Sequence, residues 1–222
     1  MHVKWSKNKK RCYRKAQEEY LSIYSRIDYI LYNMCKKWPD HKNREKVHAK
    51  VRIIGRVYGA GLERTGRDQS KGIYETIAKV LYKNRKWIDE SIKDLRKIKN
   101  PKSAEREILS LHGKLLRLIR KGTRSGLNYR SFVSKYLHFH IPIVPIFDSL
   151  ASKNINSSVW YPWKRCSDEI YKIIDREERY DWPYFKFFGQ FILYFSDIKK
   201  QRLKPSSVKN ADYYLTYWDH YR

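Results

Sequence analysis

The chain has 222 residues, 49 of them Lys or Arg against 23 Asp or Glu, for a formal net charge of +26. Hydrophobic residues make up 41% and aromatics 15%, enough to bury a core, which excludes a disordered basic tail. Self-repulsion on this scale opposes folding unless a polyanion offsets it, and nucleic acid is the first expectation. No apolar run approaches the roughly 20 residues that a membrane span needs.

Residues 1–15 carry Lys4, Lys7, Lys9, Lys10, Arg11, Arg14 and Lys15 with no acidic residue. They lack the apolar stretch of a secretory signal, so a cytoplasmic, nucleoid-associated protein is expected. This stretch reads as a basic arm, either solvated or tracking phosphates, ahead of a single all-α domain over 16–222. Three cysteines, Cys12, Cys35 and Cys166, form no CxxC pair. They read as reduced thiols rather than ligands of zinc or an iron–sulfur cluster, and neither a metal nor a cofactor is expected.

Helical periodicity then runs nearly to the C-terminus. Tyr20, Ile23, Tyr24, Ile27, Ile30, Leu31 and Met34 recur as one apolar stripe, ended at Trp38-Pro39-Asp40, because the residue before proline avoids the helical region. A second helix is predicted over 47–62, with Val51, Ile54, Val57 and Tyr58 on one face, and a third through Ile73, Ile77, Val80 and Leu81. Gly59 and Gly61 in the second each cost roughly 1 kcal/mol against alanine, which suits close helix packing or open space beside Tyr58. Asn100-Pro101 is a turn, and a helix follows from Ser103 through Ile119. Residues 93–124 hold eleven basic residues, and Lys114, Arg117, Arg120 and Lys121 recur at helical spacing. This basic ridge leads toward Arg124 and a Gly- and Ser-rich turn over 122–128. It reads as a phosphate track or a solvated face.

The next 30 residues carry the candidate chemistry. A turn at Gly126-Leu127-Asn128 opens a helix with Phe132, Val133, Tyr136, Leu137 and Phe139 as its apolar set. Pro142 and Pro145 then force an extended connection, and Asp148 follows Ile146 and Phe147 at the start of another helix. A carboxylate at a helix start is held ionised by backbone amides and the helix dipole. Two further helices are predicted, near 168–174 and 184–195. Phe185, Phe188, Phe191, Ile192 and Phe195 in the second read as core. Strand-like alternation of useful length is absent, so the fold class is all-α.

Gly126-Leu127-Asn128 before a helix, followed by Pro145-Ile146-Phe147-Asp148, resembles the helix-hairpin-helix DNA glycosylases, the adenine glycosylase and endonuclease III-like pattern above all. The resemblance covers residues 122–151. It implies a two-lobed helical domain, a hairpin that binds one phosphate of double-stranded DNA through its amides, and Asp148 as the carboxylate that stabilises the sugar cation while the base leaves. Two departures matter. Asn128 replaces the second hairpin glycine, which Asn tolerates. Arg130 stands where bifunctional members carry the Schiff-base lysine, and a guanidinium cannot be deprotonated to attack. A monofunctional enzyme is therefore expected, with Lys135, further along the same helix, left between a phosphate contact and a pocket role that would add a lyase step. By the same resemblance Tyr58 would stack on an everted base and Phe147 would lie beside it. His138 and His140 cannot share one helix face; one would reach the base or a phosphate, or both cap the helix end.

The expected protein is thus a monomeric glycosylase acting on a damaged or modified base, in repair or in defence against modified phage DNA. The alternatives are a non-enzymatic nucleic-acid-binding module with the same hairpin, and a metal-independent ribonuclease using His138 or His140.

Overall fold

The computed structural model describes residues 5–58, 60, 62, 66–123, 127–156, 181–201 and 208–216. Among these the fold is helical, with no strand. The helices are α1 (Lys7–Glu19), α2 (Ser25–Lys37), α3 (Arg44–Val57), α4 (Gly66–Lys83), α5 (Arg85–Leu95), α6 (Glu105–Thr123), α7 (Arg130–His140), α8 (Ser149–Asn156), α9 (Trp182–Lys200) and α10 (Val208–Thr216). No helix of the described residues is long and apolar enough to cross a membrane.

Residues 7–15, read from sequence as a basic arm, form most of α1 instead. Ser6 caps it by accepting from the Lys9 amide at 3.2 Å, the ordinary service of an N-cap hydroxyl. Tyr13 and Ala16 are fully buried, and the Tyr13 ring meets Tyr214 of α10 edge-on at 5.1 Å. Trp5 stacks on Tyr194 of α9. Most of the lysines and arginines occupy the remaining face, while Lys9 lays its ammonium over the Trp5 ring at 4.3 Å, so the charge run hid an amphipathic helix.

A π-helical turn at Tyr20–Tyr24 joins α1 to α2. The extra residue in that turn shifts the phase of everything after it. The buried positions are Tyr20, Asp28, Leu31 and Cys35, while Ile23, Ile27 and Ile30 are 56%, 43% and 63% exposed. The apolar stripe drawn from sequence at constant period is therefore only partly the buried face.

Helix α3 is capped by Asn43, whose side chain accepts from the Lys46 amide, and it stops at Val57 rather than continuing to 62. Its close packing involves Gly55, where a Cβ would stand 2.8 Å from the Leu62 side chain; Gly59 and Gly61 lie outside the described residues. Asn84 alone separates α4 from α5, a helix not expected from sequence. Gly122, expected in a turn, belongs to α6 and lies against α4. A Cβ there would approach Val80 Cγ2 to 2.2 Å. Helices α3, α4 and α6 pack in succession, α6 against α7, and α7 against both α2 and α3. The second group joins α8 to α9 and α10, and α10 to α1. The expected aromatic residues of α9 are buried. The helix predicted near 168–174 lies outside the described residues, as do Cys166, Arg124 at the end of the basic ridge and Gly126 of the expected hairpin.

Candidate active site

Helix α7 supplies Lys135, and the extended link through Pro142 and Pro145 returns the chain so that Asp148 starts α8 beside it. Asp148 caps α8: Oδ1 accepts from the Leu150 amide at 2.9 Å, and its backbone oxygen accepts from Ser152 N at 2.8 Å. Its Oδ2 lies 3.5 Å from Lys135 Nζ. Lys135 is 3% exposed and also donates to the Tyr58 carbonyl oxygen at 2.7 Å. That carbonyl ends α3, so the lysine ties a helix C-terminus to the carboxylate at a helix N-terminus, the favourable polarity at both ends. Burial lowers the Lys135 proton affinity, and the carboxylates of Asp148 and Asp212 oppose that shift.

The two side chains open into a cavity of about 230 Å³. Tyr20, Tyr24, Tyr58 and Tyr213 supply its aromatic lining, and Lys209 and Asp212 add a second ion pair from α10. Lys209 Nζ donates to Asp212 Oδ2 at 2.9 Å and stands 5.0 Å from the centre of the Tyr58 ring. Behind them Asp28 of α2 accepts from the Tyr20 hydroxyl at 2.5 Å. Burial raises the proton affinity of Asp28, with Lys209 opposing it.

Of the residues selected from sequence, Asp148, Lys135 and Tyr58 share this cavity. The other described ones do not line it. His138 is fully buried, with Nδ1 donating to the Val144 carbonyl at 2.7 Å and Nε2 bonded to the Tyr32 hydroxyl. Burial holds its pKa down to about 3, so it is a neutral structural ring. His140 is 2% exposed and meets Arg96 through Nδ1 at 3.3 Å; burial holds its pKa low as well. Neither position suits acid–base work on a solvent-borne substrate. Phe147 packs edge-on against Phe187 at 5.3 Å and lies under the Arg130 guanidinium at 5.1 Å.

Arg130 is engaged by Asp181, with Nε 2.7 and 2.8 Å from the two carboxylate oxygens and a further nitrogen at 2.6 Å. A guanidinium so held is poorly placed to meet a phosphate. Asn128 accepts from the Arg130 amide at 3.1 Å, opening α7 with an Asx turn, and Leu127 packs against the core. On α6, Lys114 and Arg117 line a separate groove of about 820 Å³ between α5 and α6. Lys114 and Lys121 are exposed, and Arg117 and Arg120 half-buried.

Sequence reasoning missed Lys209, Asp212 and Asp28. The signal for Asp28 was visible, a carboxylate at helical spacing within an apolar stripe. For α10 the only trace was the Lys209–Asp212 spacing of three among Ala211, Tyr213, Tyr214 and Leu215. Among the described residues no group of three or more His, Cys, Asp and Glu could hold a metal ion. Comparison of the chain with protein-family models, curated proteins and solved structures finds no match.

Proposed function

We propose that this protein is a DNA glycosylase that everts a base from double-stranded DNA into the Asp148 cavity and cleaves its N-glycosidic bond. The observation that carries the reading is a helix-capping carboxylate and a buried lysine, 3.5 Å apart, in an aromatic-lined cavity. Asp148 keeps 27% of its side chain exposed, so it can approach a sugar while its backbone donor fixes its direction. As the C1′–N bond breaks, its electrons leave with the base and positive charge develops on the sugar. A fixed carboxylate beside that charge is the electrostatic arrangement that lowers such a barrier. Water then adds to C1′ and releases a proton, giving an abasic site. The link between α6 and α7 would serve as the hairpin, and the two helix groups as lobes. Damage repair and defence against modified phage DNA are both compatible with this chemistry.

A second reading is supported by Lys135 itself. Its amine loses proton affinity through burial, and a neutral amine is the nucleophile that would form a Schiff base with the sugar and permit strand cleavage. The test uses end-labelled duplexes, each with one damaged or modified base, with wild type and Asp148→Asn. Alkali-dependent breaks at one base, reduced on the order of 10²-fold or more in the variant, are expected. Breaks without alkali would support the lyase step through Lys135. Tight binding with no breaks on any duplex would replace the enzyme with a binding module.

A further inference from the structure

The cavity holds an acceptor that the fold does not use. Asp212 lines it and is 2% exposed, and its Oδ1 has no hydrogen-bond partner among the described residues. A buried carboxylate oxygen without a donor is costly, and a ligand that brings one recovers the loss. Next to it, one turn back on α10, the Lys209 ammonium offers donors beyond the one given to Asp212. Donor and acceptor therefore stand side by side among the rings of Tyr20, Tyr24, Tyr58 and Tyr213. Charge narrows the ligand further. Lys135 and Lys209 balance Asp148 and Asp212 in the lining, Asp28 behind it is engaged by the Tyr20 hydroxyl, and Lys209 already occupies a face of Tyr58, so the lining itself favours a neutral ligand. What fits is flat, neutral and edged by an N–H next to an acceptor.

We propose that Asp212 reads the edge of the everted nucleobase, its Oδ1 accepting a base N–H while Lys209 donates to the neighbouring ring nitrogen or carbonyl oxygen. The substrate class is a neutral base whose Watson–Crick edge keeps an N–H; bases alkylated across that edge are rejected. The assignment rests on the glycosylase reading for the eversion step, and it deepens that reading from a catalytic carboxylate to a specificity residue.

Binding of nucleosides to the full chain tests it without any bond being cleaved. Adenosine, cytidine and uridine are titrated against N6,N6-dimethyladenosine, N4,N4-dimethylcytidine and 3-methyluridine, followed by protein-detected NMR. At least one unmodified nucleoside should bind roughly 10- to 100-fold more tightly than its methylated partner, the range expected for a lost hydrogen bond to a charged group. Asp212→Asn should reduce that discrimination. Because removing one partner of a buried pair is strongly destabilising, the methylated ligands on wild type carry the test if the variant does not fold. Equal binding within every pair, or no binding of any nucleoside at millimolar concentration, overturns the proposal. Selective binding with no base released from any duplex keeps the assignment and sinks the glycosylase. Release of edge-methylated bases as fast as unmethylated ones keeps the glycosylase and overturns the role of Asp212.

Discussion

Lys135 and His138 stand one turn apart on α7, both buried, and their surroundings differ in kind. Around His138 nearly all polar groups close on one another, the exception being His140 Nε2, which has no partner among the described residues. Its two ring nitrogens are taken by Tyr32 and Val144, and nearby His41 bridges Asp89 at 2.5 Å and Tyr136 at 2.8 Å. Around Lys135 the groups are charged, paired across three helices, and leave Asp212 Oδ1 and Asp28 Oδ1 without donors. A network satisfied almost wholly by its own side chains specifies a core, whereas buried charges with unmet oxygens are a cost that folding alone does not justify. The difference separates a region satisfied by its own side chains from one that leaves buried carboxylate oxygens without donors.

The largest way to break this comparison is acid. Burial holds the pKa of His112 at about 4 and of His138 at about 3, and lowers His41 and His140 as well. The unfolded chain takes up these protons near the ordinary value of 6.5, so the folded state binds fewer between those limits. The stability they support is fully present above pH 6.5 and is lost as pH falls. His138 alone should cost about 2 kcal/mol by pH 5. Glu105, raised to about 7 by burial, works the other way, as do Asp28 and Asp212, whose proton affinity burial also raises, so three carboxyls stand against four histidines. Thermal unfolding should therefore drop between pH 6.5 and 5, with the His138 ring signal still that of a neutral imidazole in the folded protein. A flat melting temperature together with a titrating His138 would erase the distinction.

Lys135→Met sharpens it from the cavity side. Exchanging a buried amine for a thioether of similar length removes a costly charge, and Asp148 keeps its solvent contact and its Leu150 donor. The Tyr58 carbonyl loses its donor, so stability should fall by about 1–3 kcal/mol, while any alkali-independent strand breaks vanish and alkali-dependent ones remain. Unfolding of this variant would move Lys135 into the structural group with His138.

The smallest effect separates the cavity from the basic ridge. Lys114→Gln and Lys121→Gln should each lower the slope of log affinity for duplex DNA against log salt by about 1, without changing the rate of base release at saturation. An unchanged slope in both would remove α6 from the DNA track.

Much of this site was legible in the sequence. Asp148 was marked by the proline-restricted link before it and by its place at a helix start, both local effects. Tyr58 stood out beside its glycines, and Lys135 as the lysine nearest the position where the resembled family carries its own. His138 and His140 were ambiguous because spacing along one helix does not report burial, and both are enclosed by residues distant in the chain, Tyr32 and Arg96. Arg130 was placed in the correct helix, but its partner Asp181 is 51 positions away. The π turn at Tyr20–Tyr24 misled the stripe of α2, because periodicity assumes a constant twist.

What the sequence determined by itself is the helical class, the basic surface and the carboxylate at the start of α8. Each follows from neighbours within a few residues or from composition. Which charges meet was decided only in the tertiary structure. Asp28, Lys135, Asp148, Lys209 and Asp212 come from helices or helix starts scattered along most of the chain, and their coupling depends on distance and desolvation. Neither is written in any local pattern.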